Sequence, residues 1–406
     1  MTDALTPLRF LIPFILLATP AAVVKDVVGF LVGDLQAVGL QQRGSASWQV
    51  PGSAASFERG SASRFRPSSP LLCKVVSVSQ VTHDSSTLGV SDAPHVFSVV
   101  LDHGQQLQFV EGQSIGIKPP APPGAHVSQN EGNTTTGSEV SEGEHTPSAQ
   151  YSSGSPVPGA PSVAKRYAHP RIYSIASSRH GDDGFGRTLT LCVKKHVYAD
   201  PSTGRRDAQK DGICSTFLCN VKCGDMVEVT GPMGKALLLP SQAETPLVML
   251  ATGTGVAPFR GHLQALGRGQ RNRDALGEGS EAACPKHPKV LLFIGARTAE
   301  TVPYLEEWKG LEAQRGGDVE VHFALSRQMQ NARGGRLYIQ DVVWQEREKV
   351  WKALKLDGGH FYACGLKGMM TGIQEVLEEM AEEKGFSRDH LIKLLKQQRR
   401  WHVEVY

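Results

Sequence analysis

The sequence lacks the cysteine spacing of a metal or disulfide protein. Its seven cysteines include no C-x-x-C pair, and their number is odd. Neither a zinc site nor a disulfide framework fits this pattern, so we expect reduced thiols. The sequence also lacks a large excess of either sign of charge, because 43 basic and 40 acidic residues among 406 give a formal net charge of +3. This near-neutral charge does not indicate a particular kind of partner, and we expect no nucleic-acid partner.

The N-terminal region has no apolar run long enough for a transmembrane helix. Phe10–Val24 is uncharged but only 15 residues long, whereas a spanning helix needs ~20. Pro13 and Pro20 interrupt it, and Ala21 and Ala22 follow as the small residues of a secretory signal. We therefore expect no transmembrane segment in the mature chain.

Residues 36–70 are rich in Ser, Gly and Ala, with four arginines against a lone Glu58, a composition typical of transit peptides. Residues 1–70 thus read as a two-part leader to a plastid with extra membranes, an apicoplast-like organelle whose stroma would hold the mature protein. The alternatives are a disordered N-terminal tail on a cytoplasmic protein or a simple membrane anchor.

Residues 71–240 contain short apolar or alternating runs that predict antiparallel strands. A short helix is predicted from Ser215 to Cys219. The strands are predicted at Cys73–Val78, His95–Leu101, Gln106–Val110, Ser114–Lys118, Arg171–Ala176, Thr188–Lys195 and Asp225–Thr230. Between the fourth and fifth of them, residues 119–164 are Pro, Gly, Ser, Thr and Glu with almost no large apolar side chains. We interpret this stretch as a disordered insertion.

Residues 241–406 alternate strand and helix patterns, which predicts a doubly wound parallel α/β sheet. Helices are expected near 258–267, 337–354 and 367–384. A second polar insertion is expected at 268–289. The strands are predicted at Leu247–Ala251, Val290–Ile294, Glu320–Leu325 and His360–Ala363.

The stretch Arg171–Ser178 has the chemistry of a flavin nucleotide site. Arg171 offers a planar fork to a phosphate. Tyr173, two residues later on the same strand face, offers a ring that can stack on a planar cofactor. The hydroxyls of Ser174, Ser177 and Ser178 can reach the polar edge of such a ring. A half-buried strand with a surface arginine is the alternative for these residues alone.

Two further segments indicate a nucleotide. Thr252–Pro258 is a glycine-containing turn directly after the first predicted parallel strand, where backbone N–H groups can approach a phosphate. The segment between Ser326 and Gln340 contains no acidic residue but three arginines, Arg327, Arg333 and Arg336. An NAD site normally offers a carboxylate to the ribose, whereas arginine suits the 2′-phosphate of NADP.

These segments, in this order, resemble plant-type ferredoxin–NADP(+) reductases. The resemblance covers about 71–406, interrupted by the two insertions. It implies an antiparallel β-barrel FAD domain (71–240) followed by a doubly wound α/β NADP domain (241–406). The family reaction is hydride exchange between NADP(H) and FAD, coupled to one-electron exchange with a 2Fe–2S ferredoxin.

The resemblance assigns the FAD and NADP residues by position. The family usually has lysine where Arg336 stands, which keeps the charge but changes the geometry. The FAD residues implied are Arg171, Tyr173, Ser174, Cys192, Lys194, Tyr198, Gly212, Ile213, Cys214, Ser215, Thr254 and Tyr406. The NADP residues implied are Lys194, Thr252, Gly253, Gly255, Ser326, Arg327, Arg336, Tyr338, Gln340, Gly365 and Leu366.

The resemblance also implies a catalytic group formed by Ser174, Cys364, Glu404 and Tyr406. In the family the terminal tyrosine stacks on the flavin and yields to nicotinamide, so we expect Tyr173 and Tyr406 to face each other across one flavin. His402 stands where common plant members have asparagine.

The expected activity is therefore a ferredoxin–NADP(+) reductase, running from NADPH to ferredoxin in a non-photosynthetic plastid. One alternative is an NADPH-dependent FAD reductase that serves flavodoxin or a heme protein. The other is a flavoprotein scaffold without turnover. Intact Tyr173, Ser174, Glu404 and Tyr406 argue against the scaffold.

Overall fold

The computed structural model describes residues 65–82, 95–121, 167–274, 287–315 and 317–406, the side chains of 268–274 excepted. The predicted leader up to residue 64 and most of both predicted insertions lie outside the described residues. Within the described part, no helix is long and apolar enough to cross a membrane. The six cysteines described there are free thiols, as expected.

The first half is an antiparallel sheet of six strands in the order β4-β3-β6-β1-β2-β5. A bridge between Ile175 and Leu191 connects its two edge strands. Phe65 pairs with Gly231, so contacts with this sheet begin at the start of the described chain. The strands are β1 (Leu71–Gln80), β2 (Val96–Asp102), β3 (Ser114–Lys118), β4 (Arg171–Ser174), β5 (Thr188–Lys194) and β6 (Met226–Met233), with helix α1 (Ile213–Asn220) between the last two.

The predicted strand Gln106–Val110 is wrong. Leu107 and Phe109 are buried, which gives the alternation of a strand, but the backbone hydrogen bonds of the segment are local. The Leu107 N–H donates to His103 Nδ1, and the Val110 N–H donates to the Gln113 side chain. The segment is therefore a loop whose apolar side chains fill the barrel core.

The second half is a parallel sheet of five strands in the order β11-β10-β7-β8-β9. The strands are β7 (Leu247–Thr252), β8 (Val290–Ala296), β9 (Val319–Leu325), β10 (His360–Gly365) and β11 (Trp401–Val405). The helices are α2 (Val256–Asp274), α3 (Leu305–Gln314), α4 (Ile339–Gln345), α5 (Arg347–Trp351), α6 (Met369–Glu383) and α7 (His390–Gln397).

Successive residues of β7 lie on opposite faces of this sheet. Val248 and Leu250 belong to one core with α4, α6 and α7, while Leu247 and Met249 belong to the other with α2 and α3. Both faces are therefore covered, as the near-continuous apolar strands require. The predicted class, an antiparallel barrel followed by a doubly wound α/β domain, is confirmed.

The strand order creates a crevice at the carboxyl ends of β7 and β10. The chain runs outward from β7 through β8 to β9, then returns to β10 on the other side of β7. Open α/β sheets bind ligands where the strand order reverses in this way. The predicted motif Thr252–Pro258 begins at this point, and the predicted catalytic residue Cys364 lies near the end of β10.

Candidate functional site

The barrel half of the candidate site is centred on β4. Residues 171–174 pair with Ser114–Ile117 of β3, which places Arg171 and Tyr173 on the same strand face. Burial raises the pKa of Tyr173, and the neighbouring Cys214 thiol raises it further. The charge of Arg171 opposes both effects and acts on Cys214 as well. The structure thus brings three of the predicted FAD residues together.

The start of α1 is a second part of this half. Gly212 precedes the helix without a side-chain hydrogen bond to cap it, so the first N–H groups, from Ile213 to Ser215, have no intrahelical partner. A Cβ on Gly212 would lie 2.5 Å from Ser215 Oγ and 2.9 Å from His196 Cβ. Glycine is required for this close approach, and the uncapped N–H groups suit a pyrophosphate.

Strand β5 and the segment after it contribute three predicted residues. Cys192 is buried, and burial raises the pKa of its thiol to about 12. Tyr198 is half-buried, and the Lys210 ammonium lies 4.9 Å from its ring centroid. Lys194 is exposed at the end of β5 and lines a large cavity. Of the three, only Lys194 reaches the cavity described below.

The chain terminus lies at the carboxyl edge of the parallel sheet. Strand β11 pairs with β10 so that Glu404 lies opposite Cys364. The Tyr406 hydroxyl is 2.6 Å from Thr254 Oγ1, and the Tyr406 N–H donates to the Gly365 carbonyl at 3.0 Å. These contacts bring three of the four predicted catalytic residues together at the start of α2.

Burial governs the protonation of this group. It raises the pKa of Cys364 to about 12, with a further contribution from the charge of Glu404. It also raises the pKa of Glu404, so this carboxyl holds a proton at higher pH than an exposed glutamate does. Tyr406 is 63% exposed, so its ring is accessible at the site. Ser174, the fourth predicted catalytic residue, is half-buried at the end of β4.

Two loops are held together directly behind this group. Thr252 Oγ1 accepts a hydrogen bond from the Leu366 N–H at 2.8 Å. A Cβ on Gly255 would lie 2.1 Å from the Cys364 carbonyl oxygen, and one on Gly365 would lie 2.3 Å from Thr252 Oγ1. Gly255 and Gly365 therefore allow the loops after β7 and β10 to pack, while Thr252, Gly253 and Leu366 line the cavity.

A cavity of about 1060 Å³ lies between residues of both halves. Barrel residues His95 and Lys194–Val197 contribute to its lining, together with Arg206. The α/β half contributes Arg297, Ser326 and the residues at the ends of β7, β8 and β10. The described lining of the cavity contains four basic residues and no acidic residue. The basic residues are Lys194, Lys195, Arg206 and Arg297. The cavity therefore suits an anionic ligand.

The predicted 2′-phosphate residues lie at and beyond the end of β9. Ser326, Tyr338 and Gln340 line the cavity, and Tyr338 is 46% exposed. Arg327 and Arg336 are exposed but are not part of its lining. The Arg327 N–H donates to the Arg297 carbonyl at 2.8 Å. The tyrosine and the two arginines are thus exposed, whereas Ser326 is half-buried.

Sequence reasoning missed Arg297 and Arg260. Arg297 follows directly after β8, and its place at a carboxyl strand end is a signal that could have found it. Arg260 is buried in α2 and donates to the Ala176 carbonyl at 2.9 Å, to Asp182 at 3.0 Å and to Glu307 at 2.7 Å. No local motif marks Arg260, because its partners are distant in sequence.

Comparison with known proteins identifies the family. A family model, the oxidoreductase NAD-binding domain, matches residues 249–375. The chloroplastic root isozyme of ferredoxin–NADP reductase from Oryza sativa is 37% identical over 344 residues, which cover 84% of this chain and 76% of that protein. The chloroplastic ferredoxin–NADP reductase of Chlamydomonas reinhardtii is 37% identical over 338 residues, covering 83% of this chain and 80% of that protein. The chain belongs to the ferredoxin–NADP reductase family.

Solved structures of this family share the fold. The ferredoxin–NADP+ reductase of Plasmodium falciparum matches with a TM-score of 0.56 at 21% identity, covering 85% of this chain and 99% of that chain. The same enzyme has also been solved with 2′P-AMP. Like its relatives, this ferredoxin–NADP reductase family member is an oxidoreductase that uses FAD and NADP(H).

The residues present fit both cofactors. The uncapped start of α1, with Arg171 and Tyr173 beside it, fits a flavin nucleotide. The basic cavity and the arginines at 327 and 336 fit a 2′-phosphorylated nicotinamide nucleotide.

Proposed function

We propose that this chain is a ferredoxin–NADP(+) reductase that exchanges electrons between NADP(H) and a 2Fe–2S ferredoxin through FAD. The observation that carries this proposal is the group at the chain terminus. Cys364, Glu404 and Tyr406 lie beside Thr254, next to the loops that line the basic cavity. Bound FAD supplies the conversion between two-electron hydride chemistry and one-electron transfer.

On the barrel side, the chain's residues bind and orient the flavin nucleotide. Arg171 and the N–H groups from Ile213 to Ser215 would hold its phosphates. The Tyr173 ring, fixed by the pairing of β4 with β3, would form the flat surface on which the ring system lies. Cys192, Tyr198 and Ser174 complete this side of the proposed site.

On the α/β side, the residues position the nicotinamide and control its access. Tyr406 would occupy the nicotinamide position until the nucleotide displaces it. The Thr254 hydroxyl holds the Tyr406 hydroxyl at 2.6 Å, so displacement must break this hydrogen bond. Cys364 and Glu404 would contact the reacting rings, and burial keeps the Cys364 thiol protonated at neutral pH.

Selection of NADP over NAD is proposed to rest on Ser326, Arg327, Arg336 and Tyr338. Both arginines are exposed, and the described lining of the adjoining cavity has no carboxylate. Arginine binds a 2′-phosphate, whereas a carboxylate would bind the free ribose hydroxyls of NAD. The solved relative with 2′P-AMP supports this choice of ligand.

Chloroplastic relatives indicate a plastid location. We propose the stroma of an apicoplast-like plastid, reached through the predicted two-part leader, which would have to end before Phe65 because Phe65 pairs with Gly231 of the barrel. In a plastid without photosynthesis, electrons would flow from NADPH to ferredoxin. The root isozyme among the relatives supports this direction, because roots are not photosynthetic.

Stopped-flow reduction of the purified, FAD-loaded chain by NADPH tests the proposal. We expect rapid bleaching of the flavin by NADPH, slow bleaching by NADH, and rapid reoxidation on addition of 2Fe–2S ferredoxin. Flavin that NADPH does not reduce would contradict the proposal. Reoxidation by flavodoxin or a heme protein, but not by ferredoxin, would assign a different acceptor.

A further inference from the structure

Asp211 is a buried carboxylate directly before Gly212 and the start of α1. Its Oδ1 accepts a hydrogen bond from the Tyr198 N–H at 2.8 Å, and its Oδ2 accepts one from the Arg206 guanidinium at 2.8 Å. The hydrogen bond from Arg206 lowers the pKa of Asp211 most, and the one from Tyr198 lowers it further. Asp211 therefore connects the start of α1 with the segment that follows β5.

Two further hydrogen bonds join the same two parts of the chain. The Gly212 N–H donates to the His196 carbonyl at 2.9 Å, and the His196 N–H donates to Ser215 Oγ at 3.2 Å. A Cβ on Gly212 would lie 2.9 Å from His196 Cβ, so the two backbones are in close contact. The segment after β5 is thus fixed on the first turn of α1.

Tyr198 depends on Asp211 for its position, because no helix or strand holds it. Residues 195–198, all within the described part of the chain, lie outside helices and strands. The Tyr198 N–H has Asp211 as its acceptor, and the Tyr198 carbonyl accepts from the Asp207 N–H at 3.2 Å. A buried backbone group needs such a partner. The half-buried Tyr198 ring therefore extends from a backbone position that one carboxylate helps to fix.

This position relates Tyr198 to the part of FAD that FMN lacks. FAD is FMN joined through a diphosphate to adenosine, and the proposed function puts its ring system on Tyr173 and its phosphates at the start of α1. Tyr173 lies beside Cys214, inside the helix, whereas Tyr198 is bonded to Asp211, just before it. Beyond the phosphates from Tyr173, the adenosine would therefore meet the Tyr198 ring.

The ion pair with Arg206 makes a carboxylate acceptable next to a phosphate site. The charge of Asp211 alone would repel a diphosphate at the start of α1. Arg206 lies 2.8 Å from Asp211 Oδ2 and compensates this charge. The buried carboxylate can then serve as an anchor for Tyr198 without opposing the ligand.

We propose that Asp211 is a positioning residue that gives this chain its preference for FAD over FMN, because it fixes Tyr198 relative to the phosphate-binding start of α1. The inference rests on the proposed function, since FAD is the cofactor there. Asp211 does not touch the reacting atoms. It acts through Tyr198, so its loss should affect the adenosine end of the cofactor and leave the contacts of Arg171 and Tyr173 in place.

Competition between the two flavins on the full, FAD-loaded chain tests this role. The protein is equilibrated with mixtures of FAD and FMN, and the bound flavin is identified by chromatography. We expect Asp211→Ala to lower the ratio of FAD affinity to FMN affinity about ten-fold, the value of one hydrogen bond to a charged group. Flavin fluorescence after dilution should show faster FAD release from this variant.

Asp211→Asn is the conservative variant. It keeps a side-chain oxygen for the Tyr198 N–H and loses the charge, so the ratio should return to within about three-fold of the wild type. A ratio as low as in Asp211→Ala would assign the effect to the ion pair with Arg206 and overturn the role through Tyr198.

Asp200→Ala is the matched control in the same segment. Asp200 Oδ1 accepts from the Ser202 and Thr203 N–H groups at 2.9 and 3.0 Å, within its own turn. Its removal loosens that turn and leaves the hydrogen bond between Asp211 and Tyr198 in place, so the ratio should stay within about two-fold of the wild type. An equal fall in the Asp200 and Asp211 variants would overturn the positioning role.

The remaining outcomes separate this inference from the proposed function. An unchanged ratio in Asp211→Ala overturns the positioning role alone, and so does an equal loss of FAD and FMN, because the whole site would then be loosened. A wild-type chain that retains neither flavin overturns the proposed function and the inference together. The ratio itself is the decisive measurement, since a general loss of stability weakens both flavins alike.

Discussion

The two halves of the candidate site differ in how firmly their residues are held. In the barrel half, Tyr173 and Cys214 are buried or half-buried, and the Cys214 thiol donates to the Ile117 carbonyl of the neighbouring strand. In the α/β half, Arg327, Arg336 and Tyr338 are exposed in the loop after β9. The flavin residues around Tyr173 thus belong to a packed core, whereas the residues proposed for the 2′-phosphate are open to solvent.

This difference matches the two kinds of ligand that the proposed reaction needs. A prosthetic group stays bound through many turnovers, so its site can share a core with the barrel. A nicotinamide nucleotide must enter and leave in each cycle, so exposed side chains on loops suit it. Tyr406 lies where the halves meet, because Cys192 of the barrel and Cys364 of the α/β half both influence its pKa.

The largest expected effect comes from breaking the link between the halves. Arg260→Ala removes a buried guanidinium that donates to the Ala176 carbonyl, Asp182 and Glu307, and that lies 4.5 Å from the Tyr304 ring. We expect the free energy of unfolding in urea to fall by about 3 kcal/mol, because its partners lose a buried charge.

Arg388→Ala is the matched control for this prediction. Arg388 pairs with Glu378 and Glu382 at the surface, so its loss should cost less than about 1 kcal/mol. Similar losses in both variants would mean that Arg260 does not have a special role between the halves.

The next effect concerns the open half alone. Arg327→Ala should lower kcat/KM for NADPH about 50-fold and leave NADH nearly unchanged, because the 2′-phosphate loses a charge-assisted hydrogen bond. Steady-state kinetics with both nucleotides measure this ratio. Equal losses with NADPH and NADH would contradict the 2′-phosphate assignment.

A buried histidine between the halves predicts a pH dependence of stability. His262 of α2 is fully buried, and burial lowers its pKa from 6.5 to about 4. The folded state therefore holds it neutral, whereas the unfolded state protonates it below pH 6.5. Its contribution is complete above pH 6.5 and is lost as the pH falls towards 4, about 2 kcal/mol between pH 7 and 5.

The measurement compares the free energy of unfolding at pH 7 and 5 for the wild type and His262→Gln. We expect His262→Gln to reduce the change in the free energy of unfolding between pH 7 and 5. His169 is exposed, so His169→Gln should leave this change as it is in the wild type. The same slope in the wild type and in His262→Gln would assign the pH dependence to other groups.

The smallest predicted effect lies at the junction itself. Tyr406→Ser removes the ring that competes with nicotinamide, so NADP+ should bind about ten-fold more tightly and turnover should slow. Tyr406→Phe keeps the ring and loses only the 2.6 Å contact with Thr254, so its NADP+ affinity should stay closer to the wild type. Flavin difference spectra report both affinities. Unchanged binding in the serine variant would exclude a gating role.

Local sequence patterns predicted most strands of this fold. Ser114–Lys118 was predicted with its observed bounds, and four of the five strands of the parallel sheet were predicted within a few residues, whereas β11 was not predicted. The strand prediction at Gln106–Val110 was wrong because a loop that packs on the barrel core can also alternate buried apolar and exposed polar residues. The helix predicted over 337–354 is instead α4, α5 and a π-helical turn from Lys352, because the backbone changes its hydrogen-bond pattern there.

The residues of the candidate site were likewise predictable from the sequence only in part. Contiguous motifs such as Arg171–Ser178 and Thr252–Pro258 were recognisable, because their chemistry lies in neighbouring residues. The resemblance placed Tyr406 at the flavin, and the structure shows that the preceding residues, Trp401–Val405, form β11 beside β10. Arg260 was missed because its side-chain partners, Asp182 and Glu307, lie far from it in the sequence.

The sequence by itself determined the barrel and α/β classes, the two nucleotide motifs and the preference for a 2′-phosphate, since each depends on local pattern or residue type. Only the tertiary structure decided that Cys364, Glu404 and Tyr406 meet Thr254, and that Lys194 of the barrel and Arg297 of the α/β half line one cavity. These contacts arise from strand order and from the packing of α2 against the barrel. The reason is that local patterns record which face of an element is buried, whereas burial alone does not specify the partner.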